Sequence, residues 1–426
     1  MWINELISVI IHIVLVIKLS TGHIIINLHS TRDENGYYFI NVFVGDPPQK
    51  QSLILDSGSS QISFTCITCL NCGLHEHPPF DIMKSMTGKK CNTKLLGNQK
   101  CKYFHRFHEG SVIFGKYFSD ILRFENGHEK SGIFKDHFKI KYDYLGCNEL
   151  ETNKIYHQNA TGVFGIGLKS SMYDHVNIIN SLLSSIEGTI RINGSNNIVI
   201  SICLLYSGGR IVIGEYEKIV DGNLNFLENK HNYVYWVPII YPSNVYRVRF
   251  EGLSIGNRKF SLLKEKTPFI AIIDVGSTFS FLPSKLYNIL ISKFFKLCEL
   301  LNKFNVNECV TINQSLCLSN PVKLHALLPT IKIKFGGQTN LINWIHTSYL
   351  IKREGVWCIG IKEQTLDQSR IILGISFMKN KQIILDPKKK RIGISLNTAA
   401  YCNHEQDKTE INLTMSRYST KIINQN

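Results

Sequence analysis

After Ile17 the chain has no apolar run approaching about 18 residues, so no later helix is expected to cross a membrane. Low-complexity tracts are absent, and helical periodicity is scarce, with residues 176–186 and 283–301 the best candidates. A clustered basic surface is lacking too: the formal net charge is +15, yet Lys and Arg are scattered. Their densest run, Lys388-Lys389-Lys390-Arg391, falls in a predicted terminal turn. The charge therefore reads as solvated surface, and no nucleic-acid partner is expected. What the chain has instead is alternation. Apolar and polar residues alternate near Gly turns over 37–44, 51–55, 210–214, 233–239, 246–252, 331–335 and 382–385, which predicts a mainly β, all-β class protein. At 426 residues it exceeds one ordinary core, and two lobes fit that length.

The apolar stretch 6–17, followed by Lys18 and Ser20-Thr21-Gly22, is short for a bilayer span and reads as a signal segment over 1–22. Glu5, with no Lys or Arg before the run, leaves a retained signal anchor open, and membrane contact is expected only in that case. Residues 23–35 read as a short leader, 216–232 as a polar connection between lobes 36–215 and 233–402, and 403–426 as a polar tail.

Twelve cysteines divide six and six: Cys66, Cys69, Cys72, Cys91, Cys101 and Cys147, then Cys203, Cys298, Cys309, Cys317, Cys358 and Cys402. An even count in each half behind a signal-like segment favours disulfides in an oxidising compartment. Cys66-x-x-Cys69-x-x-Cys72 also has zinc-ligand spacing, but lacks a compact fourth partner, and no metal is expected. Cys298 and Cys309 are near enough to close a local loop.

Two acidic turns stand about half a chain apart: Asp56-Ser57-Gly58-Ser59-Ser60 after Leu53-Ile54-Leu55, and Asp274-Val275-Gly276-Ser277-Thr278 after Ile270-Ala271-Ile272-Ile273. Each is followed, at a similar distance, by an apolar-apolar-Gly element, Val163-Phe164-Gly165 and Ile372-Leu373-Gly374. One aspartate on a Gly turn is an ordinary surface feature; two in matching contexts indicate a duplicated β-lobe that brings two carboxylates together. Such a pair cannot ionise twice cheaply and shares a proton, one member serving as base and the other as acid. Gly58 and Gly276 are expected to let the backbone turn tightly, and the hydroxyls of Ser59 and Ser277 to bond the outer carboxylate oxygens.

With these elements, and with Gly45-Asp46-Pro47-Pro48-Gln49, Asp386-Pro387 and Arg391-Ile392-Gly393, the chain resembles the pepsin-like aspartic proteases. The resemblance implies a bilobal acid-protease fold with Asp56 and Asp274 in a cleft, no cofactor and a peptide or protein substrate. In the family the residue after each Asp is Thr or Ser; Ser57 conforms and Val275 does not. The cysteine-rich insert, 66–101, resembles the nepenthesin-like branch. More narrowly, Cys69-Leu70-Asn71-Cys72-Gly73-Leu74-His75, Glu109-Gly110-Ser111, Gly146-Cys147, His157-Gln158-Asn159-Ala160-Thr161 and Ser201-Ile202-Cys203 look like the plasmepsin V family of apicomplexan parasites.

That family implies cleavage after Leu in Arg-x-Leu export signals in the secretory pathway, with Glu109 in the flap and Gln158 receiving the substrate arginine. A carboxylate in a partly desolvated cleft gives a guanidinium a charge-assisted partner. Phe107 stands where pepsin-like enzymes have the flap Tyr, and His108 replaces a free flap Cys. The basic prosegment and the C-terminal membrane anchor are expected to be missing. Cys317 and Cys358 correspond to the bridge common to pepsin-like enzymes, and Cys203 with Cys402 is the pairing expected for the remainder. A monomeric endopeptidase of the endoplasmic reticulum is expected, with the Golgi or secretion open because no Lys-Asp-Glu-Leu-type ending is present. A broad endopeptidase of a lytic compartment and a non-catalytic binding protein of the same fold are the competing readings.

Overall fold

The computed structural model describes residues 23–31, 36–92, 101–125, 139–168, 198–215, 234–255, 258–261, 269–303, 309–312, 315–319, 327–337, 340–353 and 355–395. Strands dominate, arranged in one large sheet of 14 strands and smaller sheets of 8 and 4. Tyr38–Val44 shows how the sequence sets this up: Tyr38, Ile40, Val42 and Val44 point into the core at a period of two.

The apolar runs that precede the two acidic turns are strands, the first buried from Gln51 to Asp56 and the second burying Ala271 and Ile273. Gln49–Asp56 lies parallel to Gly162–Gly165, with Asp56 level with Gly165, and Ile62–Thr65 returns antiparallel along the other side of Gly162–Gly165. In the second half, Phe269–Ile273 lies parallel to Arg370–Leu373, and Ser280–Pro283 meets that strand antiparallel at Phe281 and Ile372. Parallel strands covered on both faces need continuous apolar runs rather than alternation, and that is what Leu53-Ile54-Leu55 and Ile371-Ile372-Leu373 supply. The glycine closing each apolar-apolar-Gly element sits where nothing larger fits. A side-chain carbon on Gly165 would lie 2.5 Å from Gln61 N, and one on Gly374 would lie 2.3 Å from Ser277 O.

Two expectations need correction. The residues read as a short leader, 23–35, contain the strand His23–Ser30, which pairs antiparallel with Gly208–Glu215 and at its end with Tyr38–Val44. Ile26 and Leu28 are buried there, so this segment is part of the fold. The division into lobes 36–215 and 233–402 is also not respected by the sheets. Val234–Pro238, Gln382–Asp386 and Arg391–Ser395 join the large sheet, where Ile198–Leu205 pairs with Gln382–Asp386. The two halves are thus joined by backbone hydrogen bonds rather than by side-chain packing alone.

The long helix Ser284–Lys303 overlaps the periodic run 283–301 and buries Leu286, Leu290, Phe294, Cys298 and Leu301 on one face. Residues 176–186, 1–22, 216–232, 403–426 and Cys402 lie outside the described residues. Among the described residues no helix is long and apolar enough to cross a membrane. Disulfides join Cys66 to Cys147, Cys69 to Cys72, Cys91 to Cys101, Cys298 to Cys309 and Cys317 to Cys358. Cys203 is disulfide-bonded as well. The Cys66-x-x-Cys69-x-x-Cys72 run therefore has its sulfurs committed to disulfides.

Candidate active site

Asp56 ends one parallel strand and Asp274 directly follows the other, so both carboxyls emerge where the two halves meet. Each is held in the same way. Asp56 Oδ1 accepts from Gly58 N at 2.7 Å and Oδ2 from Ser59 Oγ at 2.6 Å. Asp274 Oδ1 accepts from Gly276 N at 3.0 Å and Oδ2 from Ser277 Oγ at 2.8 Å. The motif glycines turn out to serve close approach rather than a special backbone angle, since neither has a positive φ. A side-chain carbon on Gly276 would stand 2.5 Å from Asp56 Oδ1, and one on Gly58 would stand 3.1 Å from Asp274 Oδ1. Each glycine makes room for the carboxylate of the other half.

Burial raises the proton affinity of both groups. For Asp274 burial, followed by the Asp56 charge, pushes the carboxyl up to about 7. For Asp56 burial is opposed by the bonds from Ser59 Oγ and Gly58 N, and the hydrogen bond between the two carboxyls lowers Asp56 while raising Asp274. Both carboxyls are thus raised and coupled, and they titrate as one pair that can hold a shared proton. Between them, an ionised and a protonated carboxyl can deprotonate a water and protonate a developing oxyanion.

Ser57 ties the halves together beneath the pair. Its hydroxyl donates to Ile273 O at 3.0 Å and accepts from Val275 N at 2.9 Å. Val275 is fully buried and has no hydroxyl to return such a bond.

Above the pair, Lys102–Arg106 and Val112–Phe124 form a hairpin whose tip is Phe107-His108-Glu109-Gly110. Phe107 N donates to Ser111 O, Gly110 N donates to Phe107 O, and Gly110 takes φ +96°, which glycine adopts without strain. His108 and Glu109 are exposed. Phe107 is half-buried, edge-on to the His105 ring at 4.6 Å and packed on the cluster of Tyr103, Ile113, Ile155 and Val163. Burial lowers the His105 imidazole, with the Glu109 charge opposing it, and the same charge adds to the burial that raises Asp56. Gln158 is buried at the end of the short helix Asn153–His157, where its Nε2 donates to Ala160 O at 3.2 Å.

That helix also braces the flap tip. Asn153 Nδ2 donates to Gly110 O at 3.1 Å, Lys154 N to Ser111 Oγ at 3.1 Å, and Thr152 Oγ1 accepts from Val112 N at 2.9 Å.

A buried charged network near the site has no counterpart in the sequence reading. His75 Nε2 lies 2.8 Å from Glu151 Oε2 and His75 Nδ1 lies 2.9 Å from Gln158 O. Both ring nitrogens face acceptors, which calls for two N–H donors. Burial pushes the His75 imidazole down, but the Glu151 hydrogen bond and charge, aided by Gln158 O, outweigh it and raise it overall. Glu151 Oε1 accepts from Thr65 Oγ1 and Asn148 Nδ2, each at 2.7 Å. His75 stood in the quoted cysteine-rich run, whereas Glu151 sits in a polar stretch with no local signature of burial.

Residues 38–215 match the family model described as Xylanase inhibitor N-terminal, and residues 243–396 match Xylanase inhibitor C-terminal. The chain belongs to the pepsin-like aspartic protease family. Plasmepsin V of Plasmodium falciparum (isolate 3D7) is 28% identical to this protease over 92% of the chain and 75% of the relative. Aspartic protease 5 of Toxoplasma gondii is 26% identical over 88% of the chain, which spans 37% of that larger protein. Aspartic proteinase nepenthesin-2 of Nepenthes gracilis is 22% identical over 82% of the chain and 73% of the relative. These relatives bear protease names although the family models are named for inhibitors, and the chain is an aspartic peptidase.

Proposed function

We propose that this protease processes proteins of the secretory pathway, cutting after Leu in an Arg-x-Leu motif. Asp56 and Asp274 are its dyad. The observation that carries the chemistry is the pair of glycine-cushioned carboxyls, both raised by burial and coupled to each other. Ionised Asp56 takes a proton from the attacking water, the hydrated oxygen adds to the peptide carbonyl, and Asp274 gives its proton to the carbonyl oxygen. No covalent enzyme intermediate forms.

The arginine assignment rests on Glu109 at the flap tip, with its charge facing the dyad, and on Gln158 at the far end of the bracing helix. An exposed carboxylate that becomes covered when a substrate strand fills the cleft gains a guanidinium partner and excludes water from the pair. The likeness to plasmepsin V and aspartic protease 5 is consistent with processing in the secretory pathway. The disulfides support a secretory compartment, with the endoplasmic reticulum as the proposed site.

The test compares an Arg-x-Leu peptide with its Lys analogue between about pH 5 and pH 7.5, a range that brackets the raised Asp274, using the wild type and Glu109→Gln. Cutting after Leu with a preference for Arg that Glu109→Gln erases supports the proposal. Indifferent cutting at acid pH marks a broad lytic endopeptidase instead, and no cutting of either peptide overturns the Arg-x-Leu assignment.

A further inference from the structure

The flap glutamate and Gln158 belong to different segments of the chain, yet both are secured to one five-residue helix, Asn153–His157. The flap tip is bonded at the start of that helix through Asn153 and Lys154, and Gln158 caps its end, its N–H donating to Lys154 O. What holds the helix is a buried polar relay. Tyr103 OH, in the flap strand, donates to Asn148 Oδ1 at 2.6 Å, and Asn148 Nδ2 donates to Glu151 Oε1 at 2.7 Å. Glu151 Oε2 takes the His75 Nε2 hydrogen bond at 2.8 Å, and His75 Nδ1 donates to Gln158 O at 2.9 Å. Every member is buried; the His75 and Glu151 side chains are 2% and 0% exposed.

The cysteine-rich insert delivers His75 to this place. Its disulfides Cys66–Cys147 and Cys69–Cys72 fix both the attachment and the curl of the segment. Leu70 N donates to Glu149 O, Glu151 N donates to Asn71 O, and Glu76 N donates to Asn159 O, so the insert is laced along residues 149–159. Gly73 approaches the helix so closely that a side-chain carbon there would lie 1.7 Å from Tyr156 O. A surface decoration would not need that contact.

From this geometry we propose that His75 and Glu151 are positioning residues for substrate selection, fixing Gln158 and the Glu109-bearing flap tip relative to one another through the helix Asn153–His157. The inference rests on the arginine reading of Glu109 and Gln158 given above. In it, the insert is the specificity element of the enzyme: it places an imidazole against the Gln158 backbone and touches no reacting atom. Glu151→Gln tests geometry apart from charge. Its amide oxygen still accepts from Thr65 and Asn148, while its NH2 donates to a neutral His75 that keeps its Nδ1–H for Gln158 O.

The experiment measures kcat and KM of the full-length enzyme on matched Arg-x-Leu and Lys-x-Leu peptides, for wild type, His75→Ala, His75→Gln and Glu151→Gln, with unfolding midpoints recorded alongside. In His75→Ala the Arg-over-Lys ratio of kcat/KM falls about tenfold, the range of a lost charge-assisted contact. The loss appears in KM for the Arg peptide, while kcat on the Lys peptide stays within about twofold. Glu151→Gln keeps most of the wild-type ratio. Should His75→Ala not fold, the same ratio is read in His75→Gln, whose amide reaches one partner but not both. A lowered midpoint with an unchanged Arg-over-Lys ratio overturns the proposal and leaves the arginine reading standing. A wild type that does not favour Arg removes both.

Discussion

The Ser57 hydroxyl accepts the Val275 amide across the junction of the two halves at 2.9 Å, and Val275 offers no hydroxyl in return. The support beneath the dyad is one-sided. Ser57→Ala leaves the buried Val275 N–H and Ile273 O without that partner, and the expected cost is about 1–3 kcal/mol of stability. Val275→Thr, nearly equal in shape, is expected to supply the returning bond and raise stability by up to about 1 kcal/mol. Denaturant unfolding of the two variants checks both signs. A stabilised Ser57→Ala contradicts the assignment of this contact as a tie between halves.

The dyad sets a pH dependence with a definite direction. Asp274 is raised to about 7 by burial and then by the Asp56 charge, so the proton needed for acid catalysis is lost as pH climbs through that value. The kcat/KM profile is expected to fall on its alkaline side near there. Stability follows the same proton: folded Asp274 keeps it to higher pH than the unfolded carboxyl, ordinarily near 3.9, so stability declines as pH rises across that interval. Asp274→Asn removes the decline. The difference in unfolding midpoint, variant minus wild type, should grow as pH is raised from about 4 to about 7, and a flat difference contradicts the assignment.

Glu151 and His75 form a buried ion pair with every Glu151 oxygen engaged. Removing the carboxylate by Glu151→Ala strands a buried imidazolium, and the expected loss is about 3–5 kcal/mol. The His75 side of the pair has the opposite pH sign to a carboxylate. Its folded value is raised, so its contribution is complete below the unfolded value near 6.5 and is lost as pH rises through the folded one. Unfolding midpoints of wild type and His75→Gln between about pH 6 and pH 9 read this directly. A wild-type advantage that grows with pH contradicts the pairing.

How much of this was legible in the sequence varies with the distance over which each signal acts. The dyad was legible because each Asp follows an apolar parallel strand, with Leu53-Ile54-Leu55 buried beside one and Ile371-Ile372-Leu373 lining the other, and because Gly165 and Gly374 stand where no side chain fits. Ser59 and Ser277 follow their aspartates by three residues, a local arrangement that sequence records well. The strand His23–Ser30 was misread because its apolar residues adjoin the signal-like segment, and only its partner Gly208–Glu215, far along the chain, gives it a place. The sharing of one sheet by both halves was hidden for the same reason. His75 and Glu151 are 76 positions apart, and an acidic residue in a polar run gives no sign that it will be buried.

The central claim is that Asp56 and Asp274 act as one proton-sharing pair, and the most direct measurement is kcat/KM on an Arg-x-Leu peptide for Asp56→Asn and Asp274→Asn beside the wild type. Each single replacement is predicted to abolish turnover by about a thousandfold or more, and the double replacement to be little worse than either. Folding should be intact by unfolding midpoint in all three variants. A single variant that retains a tenth or more of wild-type kcat/KM would contradict the account.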